Sequence, residues 1–349
     1  MKKILFGLLA ILSLSELKAT VRTVSNDPNG GAEYSTLLAA YTAAVNGDTL
    51  YLEGTDINYE ISDNGSPWAK SLVVMGIGIR PVKTNPRKTK IRGNGGGSFF
   101  MNALASGSKF YGIQFQSSNS FSGTITNITY ENCSFVSNYE TSGIHFNNFV
   151  FRNCWFHTNI GFNGNGNINN ILLTSCIVNG FIDGATNGVV SNFIIDHCIF
   201  LTSGNITTGV KNATISNSIF MNSNNLGSFN NCTIAYNIAR LNNVFPPSGT
   251  GITFGGNIDN TDPMLVNCPI NTGFDAGINH NYHLLTGSPC IGAGTGGSDI
   301  GPHGSLSKFS ETGEVLFAPI MRTLFINNTT VVPNGTLNVN ISASKPYDN

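Results

Sequence analysis

Charge is the scarcest property of this chain. Only 18 Lys plus Arg and 19 Asp plus Glu occur in 349 residues, or 11% of the sequence, and the formal net charge is −1. So small and even a balance supplies no overall attraction for nucleic acid or an anionic membrane surface. Long apolar runs are equally scarce. The one at the N-terminus, Ile4 to Leu14, follows Lys2 and Lys3 and is short for a transmembrane segment. It reads as a secretory signal cut after Ala19, so the mature chain is expected to start near Thr20 and to be secreted or held at the cell surface. A cysteine suited to lipid attachment is missing there. Seven cysteines is an odd number, which forces no disulfide framework on an exported chain. What is plentiful is Phe, 23 residues, and Gly, 40, beside many asparagines. A hydrophobic fraction of 40% argues against disorder. Gly and Asn both accept positive φ, so numerous turns are expected.

The middle of the chain repeats. Cys133, Cys154, Cys176, Cys198 and Ser218 are separated by 21, 22, 22 and 20 residues. Six residues before each of these anchors stands an asparagine: Asn127, Asn148, Asn170, Asn192 and Asn212. Apolar residues fill the positions five before, three before and two after the anchor, as in Phe149, Phe151 and Phe156 around Cys154. The first two alternate like a strand, and so do the anchor and the position two beyond it. The two alternations are out of phase by one residue, which places a bend just before the anchor, at Asn132, Asn153, Ser175, His197 and Asn217. A third short strand is expected near Ile144–Phe146, Ile160–Phe162 and Ile206–Thr208.

Like residues recurring at each turn describe a coil, and stacked coils pair equivalent strands about 4.8 Å apart. No single coil buries its own apolar face, so the array folds as a column. The recurrent asparagines are expected to form a ladder of side-chain amides. The cysteines are expected to form an internal stack of free thiols, because parallel Cβ vectors suit bridging poorly and small buried thiols behave as apolar groups. Upstream, Tyr34 to Val45 has helical spacing and precedes the strand Thr49–Leu52, so a short helix is expected to close the first coil.

Three segments resemble a known family. YSTLLAAYTAAVNGDTLYLEG (34–54) is similar to the opening of secreted right-handed parallel β-helix proteins of the pectin lyase-like superfamily, and NTDPMLVN (260–267) and YHLLTGSPCIGAG with DIG (282–301) resemble their last coil. The tail Met321–Ala343 resembles the short β tails of related Bacteroidetes proteins. The resemblance implies an all-β, single-stranded right-handed parallel β-helix over 20–305, after a signal peptide (1–19) and before a C-terminal β tail (306–349) packed on it. It implies no activity, because the superfamily holds lyases, hydrolases and binding proteins alike.

Catalytic signatures are thin. No column of acids suited to Ca²⁺ stands on the expected third strand, whose outward positions are His145, Gly161, Ile182 and Thr207, and no paired carboxylates of the hydrolase type appear. Asp259 and Asp262 flank a turn, but two carboxylates fall short of a Ca²⁺ site, so no cofactor is evident. Glu131 and Arg152 share the slot two before the anchor, with Asp196 two coils on, and read as a surface ion pair. Arg80, Lys83, Arg87, Lys88, Lys90 and Arg92 fall within 13 residues that hold no acid. The default reading of that run is a solvated loop, and the functional one is a landing site for a uronate polymer. Just after the anchor, Trp155, Ile177, Ile199 and Ile219 point outward, as do Val150, Leu172 and Ile194 four before it. Such a stripe needs a cover. The tail, with Leu324, Ile326, Leu337, Val339 and Ile341 alternating, is the first choice, and a sugar-stacking face using Trp155 and His157 the second. The expected protein engages a polysaccharide or cell-surface glycan through Arg80, Lys83, Arg87, Lys88, His145, Trp155 and His157, without an evident catalytic site. A uronate-cleaving polysaccharide lyase and a structural adhesin are the alternatives.

Overall fold

The computed structural model describes residues 19–61, 67–79, 87–140, 145–162, 167–183, 190–201, 205–223, 225–268, 280–307, 309–310, 320–326 and 339–344. The fold is all-β, a parallel solenoid. Its strands stack into three parallel sheets of eleven, nine and eight strands. The eleven-stranded sheet runs from Val21–Val24 to Thr253–Gly255, the nine-stranded one from Tyr59–Glu60 to Ile238–Ala239, and the eight-stranded one from Phe99–Asn102 to Ser248–Thr250. The middle coils each give one long strand, such as Phe146–Arg152, and then two short ones, such as Trp155–Phe156 and Ile160–Gly161.

The repeat fixes the register. Phe110, Tyr130, Phe151, Leu173, Ile195, Ile215, Ile234 and Phe254 follow one another across the eleven-stranded sheet. All but the last are buried. A strand spacing near 4.8 Å lets like rings stack: Phe110, Tyr130 and Phe151 lie 5.1 and 5.2 Å apart, and Phe115, Phe135 and Phe156 lie 5.2 and 4.8 Å apart. Each such pair contributes about 0.5–1.5 kcal/mol beyond its burial.

Two residues per coil take left-handed φ. The bend before the anchor falls where the phase shift requires it, at Asn132, Asn153, Ser175, His197 and Asn217, with φ between 51° and 54°. The asparagines six before the anchor are left-handed too, with φ from 51° to 59°, so the long strand is kinked in its first half. Asn148, Asn170 and Asn192 each donate from Nδ2 to the Oδ1 of the asparagine one coil earlier, at 2.9, 2.9 and 2.8 Å. Asn212 leaves the row and donates to the Val190 carbonyl at 2.7 Å.

The anchors form a column of hydrogen-bond donors. Cys133, Cys154 and Cys176 are buried free thiols, each 3.3–3.4 Å from the carbonyl two residues before it and 3.4 Å from one in the preceding coil. Cys198 bonds likewise at 3.4 Å to the Asp196 carbonyl. Ser218 takes the same bond at 2.8 Å, and Asn237 and Asn257 continue the column with side-chain amides. Burial pushes the thiol of Cys133 up to about 12 and those of Cys176 and Cys198 well above their ordinary value.

At the start of the column, helix α1 (Leu37–Ala43) is capped by Thr36, whose Oγ1 accepts from the Ala39 amide at 3.2 Å. It buries Leu37 and Ala40 in the same core as Leu50, Leu52 and Tyr59. The buried carboxylate of Asp48 holds this end together, accepting from the Thr20 and Val45 amides and from Arg22 Nε at 2.8, 3.1 and 3.0 Å.

A second apolar core lies outside the coils. Trp155, Ile177, Ile199 and Ile219, one after the anchor, are wholly buried together with Tyr282, Cys290, Ile300 and Phe309. The cover over the outward stripe is therefore the segment 280–310, which crosses the outside of the nine-stranded sheet. This corrects one expectation. Residues 282–301 do not add a final coil, since Asn281–Leu284 pairs antiparallel with Leu265–Asn267 and joins none of the three stacked sheets. The tail forms a hairpin, Ile320–Ile326 against Val339–Ser344, with Leu337 outside the described residues. The third strand is corrected in part: Ile160–Gly161 and Asn205–Lys211 lie where it was expected, but its earlier member is Tyr139–Glu140, since Phe146 opens a long strand, and Ile182 points into the core.

Candidate functional site

The residues singled out from the sequence do not converge. Trp155 is 0% exposed, lying between Tyr282 and Phe309 at ring distances of 5.7 and 5.8 Å, so its face is not open to a sugar. His157 is half-buried, with Nε2 2.9 Å from Ser134 Oγ. His145 stands just before the long strand, its Nδ1 accepting from the Asn167 amide at 3.0 Å. Arg80 and Lys83 lie outside the described residues. Arg87 is paired with Asp27 at 2.5 Å and Asp56 at 3.5 Å, Arg92 with Glu60, and Lys90 bonds the Asp56 carbonyl at 2.6 Å. Lys88 bridges backbone to Thr55 in the same region. The two described arginines of the basic run are thus met by acids of the first coils, which sequence separation hid.

Charged side chains gather once more, at the corner between the eleven- and nine-stranded sheets. Arg152 Nη1 meets Glu131 Oε2 at 3.0 Å across neighbouring coils. Asp196 takes His197 Nδ1 at 2.6 Å on one oxygen, and Ser216 Oγ and Asn217 Nδ2 at 2.7 and 2.8 Å on the other. Partial burial alone would raise the Asp196 carboxyl, but His197, Ser216 and Asn217 outweigh it and hold the group below its ordinary range. The cover lies over this corner. Ser175 Oγ meets Ser305 Oγ at 2.5 Å, and the Thr295 amide donates to Asn217 Oδ1 at 2.8 Å. A side chain at Gly304 would approach His197 Cδ2 within 3.0 Å. His197 therefore orients a turn beneath a strap rather than facing an open groove.

The surface that stays open is the outer face of the eleven-stranded sheet. Two rows run along it at one strand spacing. Exposed Asn127, Asn148, Asn170 and Asn192 form the first, flanked by Thr126, Asn147, Asn169 and Ser191. Half-buried Thr129, Val150, Leu172, Ile194 and Thr214 form the second. The neighbouring row, Tyr111, Glu131, Arg152, Thr174 and Asp196, leads into the covered corner, with Glu131 and Thr174 buried. The flanking polar groups also bond along the face, with Asn170 Nδ2 3.2 Å from Asn147 Oδ1 and Ser191 Oγ 2.5 Å from Asn169 Oδ1. The signal for this face in the sequence was the outward apolar position four before the anchor, read there as part of a patch to be covered.

Among the described residues, no group of three or more His, Cys, Asp or Glu side chains is arranged to hold a metal ion. The Asp259 and Asp262 carboxylates serve turns, accepting from the Val244 and Met264 amides at 3.3 and 2.9 Å. No helix among the described residues is long and apolar enough to cross a membrane. No protein-family model and no curated protein sequence matches the chain.

Proposed function

We propose that this is an exported, non-catalytic β-solenoid that holds an extended, neutral polysaccharide along the outer face of its eleven-stranded sheet. The observation that carries the reading is the two parallel rows on that face, amide and aliphatic, each repeating once per coil. A sugar offers the matching chemistry: hydroxyls for amides and an apolar ring face for aliphatic side chains. Neutral polymer is favoured over uronate because Arg87 and Arg92, the described arginines of the basic run, are paired with carboxylates.

The test is retention of the full chain on a panel of neutral and acidic polysaccharides, repeated with Leu172→Glu and with Asn147→Ala plus Asn169→Ala. Retention on a neutral polymer, weakened at least tenfold by either variant, supports the reading. No retention of the parent chain, or retention that neither variant changes, overturns it. A lyase is the second reading, favoured by the two pairs Glu131–Arg152 and Asp196–His197 along one corner. It requires unsaturated uronate products on the same panel, read by their ultraviolet absorbance, and their loss in Arg152→Ala.

A further inference from the structure

A stack of coils encloses its interior along the sides but leaves a cross-section at each end. At the first end, Leu37 and Ala40 of α1 are buried in one core with Leu50 and Leu52. At the last end, Ser248–Thr250 and Thr253–Gly255 end their sheets and are exposed throughout. Phe254 continues the inward register of Ile215 and Ile234, yet it is 44% exposed where they are 1% and 0%. Within a sheet, the backbone groups of successive residues face opposite sides of the strand. The Thr253 amide donates back to the Cys232 carbonyl at 2.8 Å, and the Gly255 carbonyl accepts from the Tyr236 amide at 3.0 Å. The amide and carbonyl of Phe254 therefore face off the end. Proteins commonly blunt such an edge with charged side chains. Here the 18 residues 241–258 contain no Asp, Glu, Lys or Arg.

We propose that a second copy of this chain pairs with the last coil, tail to tail about a two-fold axis, to give a closed dimer. A strand edge is complementary to its own copy in antiparallel pairing, because donors and acceptors alternate in matching order. An axis at Phe254 sets Phe254 opposite Phe254 and Thr253 opposite Gly255. Directly opposite residues share a face, with Cβ atoms about 4.5–5.5 Å apart, so the two phenylalanine rings cover each other at the mouth of the interior. Charge is the second argument. Groups beside a two-fold axis meet their own images, so any charge there faces a like charge, and residues 241–258 bring none. A head-to-tail arrangement fits less well. It sets this uncharged edge against the first end, where Leu37 and Ala40 are already buried and the opening strand carries Arg22, paired with Asp48 and Glu33.

Sedimentation equilibrium on the full chain tests this directly. The parent is expected to be a dimer that dissociates on dilution. Thr253→Lys with Gly255→Lys sets lysine against lysine across the axis and is expected to weaken dimerisation at least tenfold. The chain itself has room for the change, since a Cβ at Gly255 meets nothing within 4 Å. Thr253→Glu with Gly255→Glu is expected to act likewise. Mixed together, the two variants are expected to form a heterodimer, because each lysine then meets a glutamate, and misfolded variants would not recombine in this way. A parent that stays monomeric, whether its last edge is bare or closed by another part of the chain, overturns the proposal. So do a dimer that both variants leave unchanged, a mixture that stays monomeric, and open-ended oligomers in place of a dimer. None of these outcomes depends on what the solenoid binds.

Discussion

At the anchor of each coil the side chain donates one hydrogen bond to a buried carbonyl while occupying little space. Thiol, hydroxyl and amide all appear in that column, at Cys176, Ser218 and Asn237. Chemistry that can be exchanged so freely marks a packing role. Cys176→Ser is therefore expected to cost about 1 kcal/mol or less, whereas Cys176→Leu overfills the column and costs about 1–3 kcal/mol, both read from denaturant unfolding. The native thiols at 133, 154, 176 and 198 should stay unreactive to a thiol reagent at pH 8 until the chain unfolds, because burial disfavours the thiolate. Backbone conformation decides the neighbouring asparagines. Asn192 sits at φ 51°, so Asn192→Ala should destabilise by about 1–2 kcal/mol and Asn192→Gly by less. Asp196 brings in pH. Its folded carboxyl lies below the ordinary range, so its stabilisation is complete above the unfolded value, about 3.9, and fades as pH falls through the depressed folded one. Asp196→Asn should thus lower stability at pH 7, and the gap to the parent should narrow in unfolding curves taken at successively lower pH.

At the scale of elements, the long strands were legible and the short ones only in part: Ile160–Gly161 falls where it was expected, and Ile144–Phe146 does not. Seven-residue strands such as Phe146–Arg152 carry enough alternation to show their inward face. Two-residue strands such as Tyr139–Glu140 carry no period at all, which is why Ile144–Phe146 looked equally suitable in sequence. The bend before the anchor was readable because a phase shift must be absorbed somewhere. The kink at the earlier asparagine absorbs a second phase shift, since the inward residues Phe146 and Phe149 stand three apart around Asn148, and it was legible by the same logic. Segment 280–310 was misread because its apolar residues resemble a last coil. The clue to its place was the outward row of Trp155, Ile177, Ile199 and Ile219, which demands a partner of similar length. Gly301 marks the crossing: its φ is 105°, and a Cβ there would come within 2.7 Å of Ile219 Cδ1. Trp155→Ala should cost about 3–5 kcal/mol. A double-mutant cycle with Phe309→Ala should show coupling if the two rings support each other as their packing indicates.

For the whole molecule, charges far apart in sequence meet in space. The basic run looked unopposed along the sequence, yet Asp27, Asp56 and Glu60 come from earlier coils to meet it. Distance in sequence hid those pairs, and so the candidate glycan site at Arg87 and Lys88 was legible as charge but not as partnership. Arg87→Ala with Lys88→Ala should leave retention on alginate or polygalacturonate unchanged at moderate salt, while lowering stability by up to about 1 kcal/mol. Enhanced dependence of retention on these two residues would restore the uronate reading.

Segment 280–310 also changes how the molecule must come apart. A bare stack of coils has only nearest-neighbour contacts, so it can fray from an end one coil at a time. Here a single stretch of chain bonds Ser175 and Asn217, in coils that are not neighbours, and packs against a row running from Trp155 to Ile238. It acts as a splint: pulling away one coil in this region strains the contacts of several others. Thermal or mechanical unfolding of the middle coils is then a joint event, and a nick in the splint, rather than in any coil, is the change that would let them part separately.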